Sequence, residues 1–273
     1  MADPITEVEA DRSEAVSAAP IAGSRLFIET SIFIWRRNRS RPVIRRIRKR
    51  MGEWYCVTST YVRAEYLATV LGAAVDLYAV LQRSEDVQDA AGRWRSRQGG
   101  RRDIGDWLLG LLRDRHSDRE ESLLLLRVLI EEDIFRWFDE CQCELTDATE
   151  CGAANASVSW NAPAPMMGPR FPPPDAPTGL RTFLASKRTE LEQFLKDLPT
   201  PPDKHWGPIH ESIGRVLSGR YELGLRKWQK MADLVIALEA HEHNCYVYTT
   251  NARHFTPVCR SLGIGVVCET ASD

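Results

Sequence analysis

Short apolar segments alternate with amphipathic helical patterns at both ends of the chain, and this alternation limits the fold to a few architectures. Residues 25–28 and 54–58 each form a short apolar run that predicts a buried strand, and each run is followed by a helical pattern. Near the other end, residues 245–249 and 265–268 predict two further strands, with a helix over 252–262 between them. Strands that alternate with helices predict a parallel sheet with helices packed on its faces, which is an α/β fold.

The middle of the chain has a different character. From about residue 84 to 140 the apolar spacing is helical only, and residues 140–178 show no period. Eleven of the fifteen prolines lie between residues 163 and 208, which predicts irregular or extended backbone there. A helical stripe returns over residues 180–198.

These patterns predict one α/β domain that is interrupted in sequence. Its two parts are residues 25–85 and 215–268, and a largely helical insertion covers residues 86–214. Residues 1–24 are rich in small and acidic residues without a period, which predicts a disordered tail.

Composition indicates a soluble globular protein. Of the 273 residues, 43% are hydrophobic and 27% are charged, which excludes a wholly disordered, collagen-like or coiled-coil chain. No uninterrupted apolar run approaches the length needed to span a bilayer, and the first residues lack the pattern of a secretory signal. We therefore expect a cytoplasmic protein with reduced cysteines and no membrane partner.

The positive charge is strongly segregated. The 36 basic and 38 acidic residues nearly cancel, which argues against a protein that coats nucleic acid indiscriminately. Residues 36–50, however, hold nine basic side chains and no acidic one, including Arg36, Arg37, Arg39, Arg41, Arg45 and Arg46. Arginine forks match phosphate oxygens, so this run suits a phosphate backbone, whereas the alternative is a solvated helix face. A second basic patch comprises Arg93, Arg95, Arg97, Arg101 and Arg102.

Four polar residues occupy positions where an α/β fold gathers its active site. Glu29 directly follows the first strand, and Asn251 follows the strand at 245–249. Glu65 lies on the helix after the second strand, and Asp233 interrupts an otherwise apolar helical stretch. The carboxyl ends of parallel strands are where such sheets bind ligands, so these side chains are candidates for one site.

The segments around these residues resemble the four motifs of the PIN-domain family, in the order in which the family has them. They are residues 26–31 (LFIETS), 58–67 (TSTYVRAEYL), 232–237 (ADLVIA) and 249–255 (TTNARHF). The resemblance covers about residues 25–85 and 215–268 and leaves out the insertion. It implies a PIN-like α/β/α sandwich with a central parallel sheet.

The resemblance also implies an activity. PIN domains are commonly metal-dependent ribonucleases, and in bacteria they are often toxins paired with an antitoxin. Glu29, Glu65 and Asp233 would then hold Mg²⁺ or Mn²⁺, hard cations that prefer oxygen ligands, and Asn251 would orient a water on the metal. Thr30, Ser31 and Thr249 would hold the carboxylates in position without binding the metal. The arginines of residues 36–50 would hold the RNA backbone.

Two positions depart from the family pattern. Glu29 stands where the family has Asp, and Asn251 is a neutral residue that some family members share. A second hypothesis is therefore a catalytically degenerate PIN fold that binds RNA or a protein. The insertion could set specificity, form a homo-oligomer or dock a partner such as an antitoxin.

Two weaker patterns remain. Cys141, Cys143 and Cys151, with His205 or His210, could be a remnant zinc site, although ordinary thiols are the simpler interpretation. His254 follows the fourth motif closely enough to contact phosphate.

Overall fold

The computed structural model describes residues 24–96, 102–113, 118–151, 158–160, 165–168, 178–198 and 206–271. The tail predicted over residues 1–24 lies outside this range except for its last residue. Arg97, Arg101 and His205 also lie outside it.

The first part of the chain supplies two strands and the helices that follow them. They are β1 (Arg25–Ile28), α1 (Thr30–Asn38), α2 (Arg41–Glu53), β2 (Tyr55–Ser59) and α3 (Thr60–Leu81). The first predicted strand is confirmed, and the second lies one residue later than predicted.

The next part is helical, as predicted. It contains α4 (Val87–Arg95), α5 (Arg102–Arg113), α6 (Arg119–Val128), a π-helical segment (Leu129–Asp133) and α7 (Ile134–Asp139). The last three run on without a break and, with α4 and α5, pack against α3.

The rest of the predicted insertion combines short strands with helices. It contains β3 (Glu144–Thr146), β4 (Val158–Ser159), β5 (Met166–Met167), α8 (Thr178–Ser186), α9 (Arg188–Asp197) and α10 (Gly207–Leu217). The single helical stripe predicted over residues 180–198 is therefore two helices, because the chain turns at Lys187.

The last part restores the alternation of strands and helices. It contains α11 (Leu225–Glu242), β6 (Cys245–Thr249), α12 (Ala252–Ser261) and β7 (Val266–Cys268). Both strands agree with the prediction to within one residue.

Five strands form one parallel sheet in the order β3-β2-β1-β6-β7, and helices flank it. The predicted α/β class with a central parallel sheet is confirmed. The central strand β1 is wholly buried over Leu26, Phe27 and Ile28, as expected for a strand covered on both faces.

The strand β3 is a correction to the sequence analysis, which predicted irregular structure over residues 140–178. Thr58 and Leu145 are register partners, and the Thr146 hydroxyl donates to the Thr58 carbonyl at 3.1 Å. Three residues are too few to show a period, so pairing with β2 decides their conformation. Part of the predicted insertion therefore belongs to the central sheet.

Helix α3 is a second correction. By length and composition it could cross a membrane, so the expectation that no segment approaches that length is wrong for this helix. However, 67% of its most apolar stretch is buried by the surrounding elements, as in the core helix of a globular protein.

Candidate active site

The predicted site residues lie around the carboxyl end of the central strand β1. β2 and β3 lie on one side of β1 and β6 and β7 on the other, so the strand order reverses between β1 and β6. Open parallel sheets bind ligands at such a switch point, outside the carboxyl ends of the strands. Glu29 follows β1 there, and Thr249 ends β6 beside it.

Glu29 is buried and tightly held by protein donors. Its Oε1 accepts from the hydroxyls of Ser31 and Thr249, the latter at 2.8 Å, and from the Thr250 amide at 3.4 Å. Its Oε2 accepts from the Ser31 amide at 2.7 Å, which makes Glu29 the N-cap of α1.

Burial is the largest influence on the pKa of Glu29. Burial raises its pKa above the usual range, and the charge of Asp233 raises it further. The hydrogen bonds from Ser31 and Thr249 act in the opposite direction but are the smaller effects.

Glu65 lies on the second turn of α3 and turns toward the same place. The Thr30 hydroxyl donates to its Oε2, so Thr30 supports Glu65 rather than Glu29. Burial, followed by the charges of Glu29 and Asp233, raises the pKa of Glu65 to about 7. These effects indicate that Glu29 and Asp233 lie near Glu65.

Asp233 and Asn251 are connected through His254. The Nδ1 atom of His254 lies 3.0 Å from Asp233 Oδ2 and 2.7 Å from Asn251 Nδ2. Burial lowers the pKa of His254, and the charges of Arg253 and Lys230 lower it further, so the ring is neutral at neutral pH. It therefore orients Asp233 without neutralising its charge.

The oxygen ligands at this site suit a hard cation, but the three carboxylates are not arranged around one point. Among the described residues, no group of three or more His, Cys, Asp and Glu side chains is arranged to hold a metal ion. Carboxylate oxygens from Glu29, Glu65 and Asp233 are nonetheless the ligand type that Mg²⁺ and Mn²⁺ prefer. The residues present fit the predicted ion in chemistry, with Glu29 the least available because its oxygens already accept four hydrogen bonds.

The sequence analysis missed a further carboxylate, Glu239 of α11. It is fully buried, its Oε2 accepts from the Ser59 hydroxyl at 2.7 Å, and its Oε1 lies 3.4 Å from the Thr149 hydroxyl. Burial raises the pKa of Glu239 to about 8. Its signal in the sequence is the same as that of Asp233, a lone acid within an apolar helical stretch.

Several arginines of residues 36–50 contact other parts of the protein. Arg46 and Arg50 donate to the buried carboxylate of Glu269, at 2.9 and 3.3 Å, and Tyr248 donates to the same group at 2.6 Å. Glu269 follows β7, so these contacts fix α2 to the end of the sheet. Such buried pairing is a structural role.

Five of the six remaining arginines divide into two groups, and the sixth, Arg48, is exposed. Three have partners from the middle of the chain: Arg36 with Cys141, Arg37 with Glu140 and Arg39 with Asp103. Arg41 and Arg45 are instead exposed on the outer face of α2, whose inner face buries Val43 and Ile47. These two are the candidates that best suit a nucleic-acid backbone. In the second basic patch, Arg93 pairs with Asp89, and both Arg95 and Arg102 lie near Asp106.

The three cysteines considered for a remnant zinc site lie in two separate places. Cys151 is buried beside Thr149 and Glu239, whereas Cys141 and Cys143 lie beside Cys56 and Arg36. They lie at opposite ends of the strands, because Cys56 is near the start of β2 and Thr149 lies beyond the end of β3.

Comparisons of the chain with protein-family models, with curated proteins and with solved structures find no match.

Proposed function

We propose that the protein is a ribonuclease with a PIN-type α/β/α fold and a Mg²⁺- or Mn²⁺-dependent site at the carboxyl end of β1. The observation that supports the proposal is that Glu29, Glu65 and Asp233 come from three separate elements near the switch point of the sheet, where the charges of Glu29 and Asp233 raise the pKa of Glu65. Carboxylates that only stabilise a fold are usually paired with a cation, whereas burial raises the pKa of all three of these.

The chain's own residues would divide the work as follows. Glu29 is fixed by four donors and shapes the field of the site, while Glu65 and Asp233 are each held at one oxygen, by Thr30 and by His254. Their second oxygens are then the natural ligands of a cation. Bound there beside Glu29, Mg²⁺ or Mn²⁺ would supply charge neutralisation on the phosphate and a lowered pKa of water.

RNA would be held by charge on the neighbouring helix. Arg41 and Arg45 follow α1, which itself begins at Glu29, so the first motif leads directly into the exposed basic face of α2. Phosphate contacts from flexible arginines position a strand without reading its sequence.

A specific observation favours a second candidate function, a degenerate PIN fold that binds RNA without cutting it. Glu29 is saturated with protein donors, and the fourth motif offers the amide of Asn251 instead of a carboxylate. A module of this kind would keep the basic face of α2 and bind no divalent cation.

Cleavage of a structured and an unstructured RNA, in Mn²⁺ and in EDTA, separates the two candidates when Asp233→Asn is compared with wild type. Asparagine keeps the size of the side chain and can still hydrogen-bond to His254. We expect Mn²⁺-dependent cleavage and an upward thermal shift with Mn²⁺ in wild type, and loss of both in the variant. We also expect the metal-free variant to be as stable as wild type or slightly more stable, because burial raises the pKa of Asp233 to about 6 and its charge therefore opposes folding at neutral pH.

The matched control is Asp76→Asn, an exposed position on α3, the helix that carries Glu65. It should retain both cleavage and the thermal shift. RNA binding without cleavage and without any Mn²⁺ shift in wild type would establish the binding module instead. A D233N variant that melts well below wild type yet still cuts RNA would make Asp233 a structural residue.

A further inference from the structure

Three thiols lie near the amino ends of the strands, at the opposite end of the sheet from the carboxylates. Cys56 is the second residue of β2, Cys143 immediately precedes β3, and Cys141 lies two residues before it. The amino ends of these strands lie away from Glu29, so the thiols belong to a separate part of the molecule.

Strand register brings Cys56 and Cys143 side by side. Val57 pairs with Glu144 in the parallel ladder, so the preceding residue on each strand is Cys56 and Cys143. Neighbouring strands lie about 4.8 Å apart, which falls inside the Cα separation of about 4.4–6.8 Å that a disulfide requires. The two sulfurs are also close enough to influence each other's pKa.

A small oxidant can reach this pair. Cys56, Cys141 and Cys143 line one open cavity of about 770 Å³, together with Arg36 and Arg48. All three thiols are only partly buried. The guanidinium of Arg36 donates to the sulfur of Cys141 and places a positive charge within the cavity.

The surroundings make the two paired sulfurs unequal. Cys143 lowers the pKa of Cys56, and the charge of Arg36 lowers it further against the opposing effect of burial. Cys56 in turn raises the pKa of Cys143, and burial raises it further. Cys56 is therefore the more acidic of the two thiols.

We propose that Cys56 is a peroxide-oxidised thiol and that Cys143 resolves it to a disulfide between β2 and β3. The Cys56 sulfur attacks a peroxide oxygen, so an S–O bond forms, the O–O bond breaks, and the departing hydroxide is protonated to water. The Cys143 sulfur then displaces the oxygen of the Cys56 sulfenic acid, which leaves as water with the proton from Cys143. Two thiols lose two electrons, and one hydrogen peroxide becomes two waters.

This site is independent of the proposed nuclease, because neither thiol contacts the carboxylates at the other end of the sheet. The bond would tie the short edge strand β3 covalently to β2. Cys141 is the competing resolving thiol, and it is disfavoured because its sulfur is held by Arg36 and by a contact to the Trp137 carbonyl at 3.6 Å.

The test treats the full chain with hydrogen peroxide, blocks the remaining thiols by alkylation and maps disulfides by mass spectrometry without reduction. We expect a Cys56–Cys143 peptide pair in wild type. The C143S variant should instead accumulate sulfenic acid at Cys56, trapped by dimedone, and C56S should give neither product.

The matched control is Cys268→Ser, which removes a partly exposed thiol at the end of β7 and should leave the Cys56–Cys143 pair unchanged. In wild type we expect Cys56 to be oxidised before Cys268, because Cys56 lies in an open cavity beside Arg36 and next to a resolving thiol. Oxidation of Cys268 before Cys56, or a Cys56–Cys141 disulfide as the main product, would overturn the proposal. Because the wild-type map alone decides this, no variant has to fold for the proposal to fail.

Discussion

Replacing Glu65 with glutamine should make the metal-free protein more stable at pH 8. The Glu65 carboxyl has a pKa of about 7 in the folded protein, against an ordinary 4.5. Between these two values the folded state keeps a proton that the unfolded state has lost, so the free energy of unfolding falls as pH rises through this window. Glutamine carries no charge there and can still accept the hydrogen bond from Thr30.

The shift sets the size of the effect. A difference of about 2.5 pKa units corresponds to about 3 kcal/mol of destabilisation, fully present above pH 7 and absent below about pH 4.5. Part of that shift comes from the charges of Glu29 and Asp233. The protonation of these two groups would itself change once Glu65 is neutral, which reduces the gain. We therefore expect a gain of about 1–2 kcal/mol at pH 8 and none at pH 4.5.

The assay is thermal unfolding in EDTA at pH 4.5 and at pH 8. A gain of that size should raise the Tm of Glu65→Gln by a few degrees at pH 8 and leave it unchanged at pH 4.5. Glu53→Gln, at a half-exposed position at the end of α2, is the control and should change neither value. A Glu65→Gln variant that melts below wild type at pH 8 would mean that the carboxylate is stabilised by its surroundings, and the reasoning from burial and repulsion would fail.

Two further predictions concern the basic face and the packing of the inserted helices. Changing Arg41 and Arg45 to glutamine should weaken binding to all RNA sequences, measured by fluorescence anisotropy. The slope of log affinity against log salt should fall in magnitude by about 0.7 per lost phosphate contact. An unchanged slope would mean that this face is only a solvated surface. In α5, Gly105→Ala would place a methyl group against the ring of the buried Trp94 and should cost about 1–3 kcal/mol, whereas Gly110→Ala meets no neighbour and should stabilise the helix by about 0.5–1 kcal/mol in urea denaturation.

Most of the sheet could be predicted from sequence because most of its strands have a recognisable local sequence pattern. The runs at β1 and β6 are apolar, buried on both faces and followed at once by helical periods, so each carries its own evidence. β3 carries none, since Glu144 and Leu145 are exposed at the edge and only pairing with β2 makes them a strand. The break at Lys187 is similar, because both halves of that stripe are good helices and the turn depends on packing.

The positions of the candidate site residues could be predicted, but their partners could not. The motif spacing places Glu29 and Glu65 near the carboxyl end of the sheet, yet nothing in the spacing shows that Thr30 supports Glu65 or that Glu29 caps α1. The arginine run shows the same limit. The sequence shows nine basic side chains, but only the fold shows that Arg46 and Arg50 form ion pairs with Glu269.

Three buried or half-buried carboxylates are held by hydroxyl groups from the ends of strands or the first turn after them. Thr249 donates to Glu29, Thr30 to Glu65, and Ser59 to Glu239. A hydrogen bond to a charged carboxylate lowers its pKa, yet in all three cases the pKa remains raised, so desolvation outweighs the hydroxyl donors. Hydroxyls thus set the direction of these side chains without neutralising the cost of their charge. Either protonation or an added cation would remove the penalty that the hydroxyl groups leave in place.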